Sequence, residues 1–139
     1  MTTLMDIAPE FSFVLDRGMR HIAGRYDPET FGNAEVILEG AVFSLRFFRD
    51  RGETFVEIGD QVSGWNDLDC VLDFLDQLRE ASPSVEERNM EASAKQLEAH
   101  WSELLMLLAD PDRRRQLGEF CKSKAAERIR SIFPDYKGG

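Results

Sequence analysis

Two histidines, two cysteines and a run of four aspartates are the side chains best suited to chemistry in this 139-residue sequence. His21 and His100 could each act as a general base or a metal ligand. They fall on different predicted helices, and neither has a Cys or His at ligand spacing. No nucleophile is recognisably placed with either of them. Cys70 and Cys121 lie on the apolar stripes of predicted helices, the setting of buried free thiols. Asp67, Asp69, Asp73 and Asp76 could together hold a hard cation, yet the glycine and ligand spacing of a calcium loop are absent. Gly32, Gly40, Gly52, Gly59 and Gly64 are scattered turn residues and form no phosphate loop. The expectation is a non-catalytic chain with no catalytic residue, no metal and no cofactor.

Charge narrows the function classes further. The net charge is −9 and it is uneven: residues 1–80 carry 16 acids against 7 bases, whereas residues 81–139 carry 10 of each. Residues 57–87 hold nine acids and one arginine, Arg79. Such a surface repels nucleic acid, whose binders need cationic patches, and attracts a basic protein. The run Arg113-Arg114-Arg115 resembles a nucleic-acid patch in isolation. Its neighbours Asp110, Asp112 and Glu119 make it a solvated helix face, or one paired with the acidic half.

These residues need elements to position them. Hydrophobic residues at 42% and charged residues at 31% fit a soluble globular chain of one domain, residues 1–139, with mobile tails at 1–5 and 134–139. No apolar run approaches a membrane span and no leader is visible, so a cytoplasmic protein is expected. Helical spacing of Phe11, Val14, Leu15, Met19 and Ile22 predicts a helix over 8–23, capped by Asp6 and with Pro9 in its first turn. Residues 26–33 read as a loop. A second helix starts at 66–67, carries Leu68, Val71, Leu72, Leu75 and Leu78 inward and ends near 81. Ser84 and Glu87 have capping-box spacing for a third helix running to about 109. Asp110-Pro111 starts a fourth, with Leu117, Phe120, Cys121, Ala125, Ile129 and Ile132 inward.

Between the first two helices, residues 34–59 read as three antiparallel strands. With Arg51-Gly52 at the tip, Phe48 faces Phe55, Arg46 faces Glu57 and Leu45 faces Ile58. A tight turn at Glu39-Gly40 sets Leu38 against Ala41 and Val36 against Phe43. Alternation then gives one face with Val36, Leu38, Phe43, Leu45, Phe47, Val56 and Ile58, the predicted core face. The other face mixes Glu35, Ile37, Val42, Ser44, Arg46, Phe48, Phe55 and Glu57. The fold class expected is α+β: an N-terminal helix, a three-stranded antiparallel meander, then three helices packing on one sheet face.

Two features exceed what a scaffold needs. Phe48 and Phe55 sit on the face predicted to be non-core, the kind of apolar group that marks partner surfaces. Trp65, in a predicted loop entering the second helix, stands in the acidic stretch as a candidate interface anchor. Phe31-Gly32-Asn33, a strand, and then Ser44-Leu45-Arg46-Phe47-Phe48-Arg49-Asp50-Arg51-Gly52-Glu53-Thr54-Phe55-Val56-Glu57-Ile58 resemble a pattern of small bacterial α+β proteins. Several such groups are immunity proteins of polymorphic-toxin and contact-dependent-inhibition systems. The resemblance covers residues 31–60 and implies a protein that neutralises a toxin domain by binding it. The expected function is a protein-binding module for a basic partner, with Trp65, Asp67, Asp69, Asp73, Asp76, Phe48 and Phe55 as candidate contacts. A structural or regulatory homodimer is the alternative, and an enzyme with an unrecognised site the third.

Overall fold

A tight hairpin at Arg51-Gly52 organises the sheet. Both residues have positive φ, 53° and 84°, the mirror-image turn whose twist matches that of paired strands. In the computed structural model, which describes residues 2–27, 29, 33–60, 64–79 and 89–132, this hairpin joins β3 (Ser44–Asp50) to β4 (Glu53–Asp60). The register is the expected one, with Phe48 opposite Phe55, Arg46 opposite Glu57 and Leu45 opposite Ile58. The chain is α+β, as the sequence predicts, but the sheet is larger. β1 (Arg20–Asp27), β2 (Asn33–Glu39) and β5 (Gly64–Asp67) complete an antiparallel meander in the order β1-β2-β3-β4-β5. The Ser84–Glu87 capping box, Phe31, Gly32 and the tail 134–139 fall outside the described residues.

Several expectations need correction. The helix predicted over 8–23 is a short α1 (Leu4–Ile7) and a 3₁₀ segment (Pro9–Arg17) that stops at Gly18, φ 85°. Phe11, Val14 and Met19 are buried as the spacing requires. The chain beyond Gly18 then turns into β1, where Ile22 sits in a bulge between His21 and Ala23 and is 43% exposed. The supposed loop at 59–66 contains β5. The turn between β2 and β3 is also wider than Glu39-Gly40: Glu39 pairs with Ser44, so Leu38 faces Leu45 and Val36 faces Phe47. This shifts the register by four residues. Because the side-chain period is two, the residues of the paired strands keep their predicted faces, whereas Val42, expected outward, falls in the turn and packs against the core.

Helices cover one of those faces. Val36, Leu38, Leu45, Phe47, Val56 and Ile58 are buried in a single cluster with Leu4, Phe11, Leu72, Leu97, Leu104 and Leu117. α1 packs on β2 and β3, and α2 (Leu68–Leu78) on β4 and β5. The predicted third helix is two, α3 (Met90–Ala99) and α4 (Trp101–Ala109), broken at His100. At the break Trp101 packs against Phe13 and Phe43, ring centroids 6.0 and 5.2 Å away. The Asn89 carboxamide caps α3 by accepting from the Ala92 amide. α5 (Pro111–Ile132) lies against α2, α4 and β5, with Leu117 and Cys121 buried. Ala125, expected inward, is exposed. Among the described residues no helix is long and apolar enough to cross a membrane.

Candidate functional site

The outer face of the sheet is built around Arg46. The corrected β2–β3 register brings Glu35 diagonal to it, and the hairpin register puts Glu57 directly opposite. Arg46 Nε donates to Glu35 Oε2 at 2.8 Å and its Nη1 to Glu57 Oε1 at 2.7 Å. Desolvation alone would lower the pKa of this guanidinium. The hydrogen bonds and negative charges of Glu35 and Glu57 outweigh it and hold the group above its ordinary value. Arg25, across from Glu35, extends the chain of charges at 3.5 Å. The Arg46 guanidinium also lies 4.8 Å from the Phe48 ring centroid, a cation–π contact that helps hold the ring.

Phe48 also stacks on Phe55, centroids 5.0 Å apart and planes at 21°. Phe48 is half-buried and Phe55 is 40% exposed. Ile37, opposite Arg46, is buried but stands outside the main core cluster, beneath the side chains of this face. Among the described residues, those that the helices bury cluster with the inner face. By alternation the outer face also carries Asp27, Glu39, Asp50, Glu53 and Asp67, against Arg20 and Arg25. With Glu35, Glu57 and Arg46 counted, carboxylates outnumber guanidinium groups on this face by seven to three. Asp50 and Glu53, both exposed, flank the hairpin tip next to the aromatic pair.

The aspartates of α2 are placed differently. Asp69 accepts from the buried Ser93 hydroxyl at 2.8 Å, and both oxygens of Asp76 accept from Gln96 Nε2 at 3.2 Å, so these two tie α2 to α3. Asp67 and Asp73 act on the thiol of Cys121 in α5. A hydrogen bond with Cys70, then burial, then the charge of Cys70 and of these two carboxylates push that thiol's pKa up. Asp67, exposed at the N-cap of α2, is the one member of the set on the outer sheet face. Trp65 lies in β5 opposite Gly59, half-buried, and by alternation on the same sheet face as Glu57 and Asp67; it is also among the residues that line a cleft beside α5.

The histidines serve the framework. His21 lies in β1, and its Nε2 accepts from the Leu4 amide at 3.1 Å, which anchors α1 to the sheet. His100 stands between Arg79 and Glu103. Among the described residues no three His, Cys, Asp or Glu side chains converge as metal ligands would. The sequence reading missed the part of Glu35, because the tighter turn places it opposite Ser44. Glu35 is a diagonal neighbour of Arg46 in either register, so charge alone does not select the wider turn. Comparison of the chain with family models, with curated proteins and with solved structures found no match.

Proposed function

We propose that this chain is a non-catalytic protein-binding module that docks a basic partner on the outer face of its sheet. What carries the reading is the stacked Phe48–Phe55 pair, open on a face where carboxylates outnumber guanidinium groups. Interfaces are centred on partly exposed aromatics, and a rim of one charge sign selects and speeds the approach of the opposite sign. Arg46 is held rigidly by two glutamates, so the aromatic pair is pre-ordered before a partner arrives. Neutralising a toxin domain, as in the immunity proteins that residues 31–60 resemble, is the specific form of this function we favour. Blocking such a domain needs shape and charge but no chemistry.

The test uses the full chain and an F48S/F55S variant as paired baits in a lysate of the source cells. A basic protein retained by the wild type and lost by the variant, with circular dichroism unchanged, supports the reading. Equal retention by a folded variant sinks it. A concentration-dependent dimer dispersed by the same substitutions makes this face a homodimer interface instead.

A further inference from the structure

We infer that Cys70 and Cys121 are a redox-active dithiol, which a hydroperoxide oxidises to a disulfide that staples α2 to α5. They are the chain's only two cysteines, and both are thiols in this structure. A bond within the chain therefore has one possible pairing. The pair lies in the seam between two helices, and the inference is independent of the sheet-face reading.

Packing brings the two sulfurs together. α5 lies against α2. Cys70 and Phe74 stand one turn apart on α2, and Leu117 and Cys121 one turn apart on α5. All four are buried in the same cluster. Phe74 packs on Phe120, the neighbour of Cys121, with ring centroids 5.3 Å apart, which fixes the two helices at this level. The Cys121 thiol is hydrogen-bonded with that of Cys70. A disulfide then needs a short approach of sulfurs already in contact. Nor is the seam sealed: Cys70 and Cys121 keep 9% and 8% of their surface, whereas Val71 and Leu72 keep none. A peroxide is small enough to use that opening.

The two thiols are not equivalent. Cys70 is in the first turn of the 11-residue α2, where the positive end of the helix favours a thiolate. Cys121 sits in the middle of α5. The bond with Cys70, then burial, then the charges of Cys70, Asp67 and Asp73 keep its proton on. Cys70 is thus the attacking sulfur and Cys121 the resolving one. The Cys70 thiolate attacks one peroxide oxygen and the O–O bond breaks. The other oxygen leaves as hydroxide and takes up the proton that Cys70 released, so that one water and a Cys70 sulfenic acid result. Cys121 then gives up its proton and attacks the Cys70 sulfur. The S–O bond breaks, the S–S bond forms and a second water leaves. Two electrons pass from the sulfurs to the peroxide. The loop so closed, residues 70–121, takes in α3 and α4.

Hydrogen peroxide added to the whole folded protein tests this, read by intact mass and by proteolysis without reductant. The chain should lose two hydrogen atoms, yield a linked peptide pair holding Cys70 and Cys121, and revert with dithiothreitol. The melting midpoint of the oxidised protein should rise by about 5 °C or more, because the closed loop restricts the unfolded chain. With Cys121→Ala the reaction should stop at a sulfenic acid on Cys70, which dimedone traps. With Cys70→Ala the trapping should be about tenfold slower, since Cys121 is the poorer thiolate. F48S/F55S should oxidise as the wild type does. The proposal is overturned if both thiols persist in peroxide, if either reaches a sulfinic acid without a linked peptide, if the link joins two chains, or if the oxidised protein melts where the reduced one does. Equal trapping in the two alanine variants overturns the place of Cys70 as the attacking sulfur.

Discussion

The outer sheet face and the aspartate-bearing face of α2 look alike in sequence and differ in the folded chain. Both are rich in carboxylates, and both contributed candidate contacts. On α2, Asp69 and Asp76 are hydrogen-bonded to Ser93 and Gln96 of α3, so much of that acidity is internal wiring. On the sheet, Glu35 and Glu57 are also engaged, but with Arg46 of the same face, and the aromatic pair beside them stays open. Acidity on a chain thus has two uses, joining elements and facing outward. Only the packing of neighbouring elements distinguishes them.

Four substitutions sharpen or break this contrast, taken from the largest effect on stability to the smallest. Asp69→Ala should destabilise by ~1–3 kcal/mol, because the Ser93 hydroxyl remains buried without its acceptor. Urea denaturation measures it, and a loss within about 0.5 kcal/mol would mean that Asp69 behaves as an ordinary surface carboxylate. Arg46→Ala should cost ~1–2 kcal/mol, less than the sum of its two charge-assisted bonds because the group is partly solvated. It should also release the Phe48 ring, seen as narrower aromatic shift dispersion in NMR. Gly118→Ala should stabilise by up to ~1 kcal/mol, the glycine-to-alanine difference inside a helix. Phe55→Ala should cost under about 1 kcal/mol yet remove partner binding, the reverse of the Asp69→Ala pattern.

The seam between α2 and α5 adds a pH signature that the sheet face lacks. The Cys121 thiol is held in its neutral form, its pKa raised from an ordinary 9.0. A group raised in the folded state contributes stability that is complete below its unfolded pKa. That contribution declines as pH rises past about 9, where the unfolded thiol ionises and the folded one does not. Cys121→Ser should flatten this alkaline decline, as chemical denaturation at pH 8 and pH 10 would record.

The hairpin was readable because Gly52 marks a turn only a few geometries satisfy, and alternation then fixed both faces. The β2–β3 turn was misplaced, since Glu39-Gly40 looks like a two-residue turn while the chain uses residues 40–43. The faces survived because the error was even-numbered. The first helix was overextended for a different reason. Met19 and Ile22 continue the spacing of Phe11 and Val14, and only the positive φ of Gly18 ends the helical segment there. The engagement of Asp69 and Asp76 was not legible, because it depends on where α3 packs.

The bulge at Ile22 has a consequence for how another molecule can approach. Among the described residues β1 is a border strand of the sheet, and a regular border invites a foreign strand to hydrogen-bond alongside it. Here an extra residue interrupts the ladder, and Arg20 and Arg25 bracket the interruption. Lateral growth into a wider sheet or a fibre is thereby discouraged. A visitor is steered to lie across the strands, over the phenylalanines, rather than to join them as another strand.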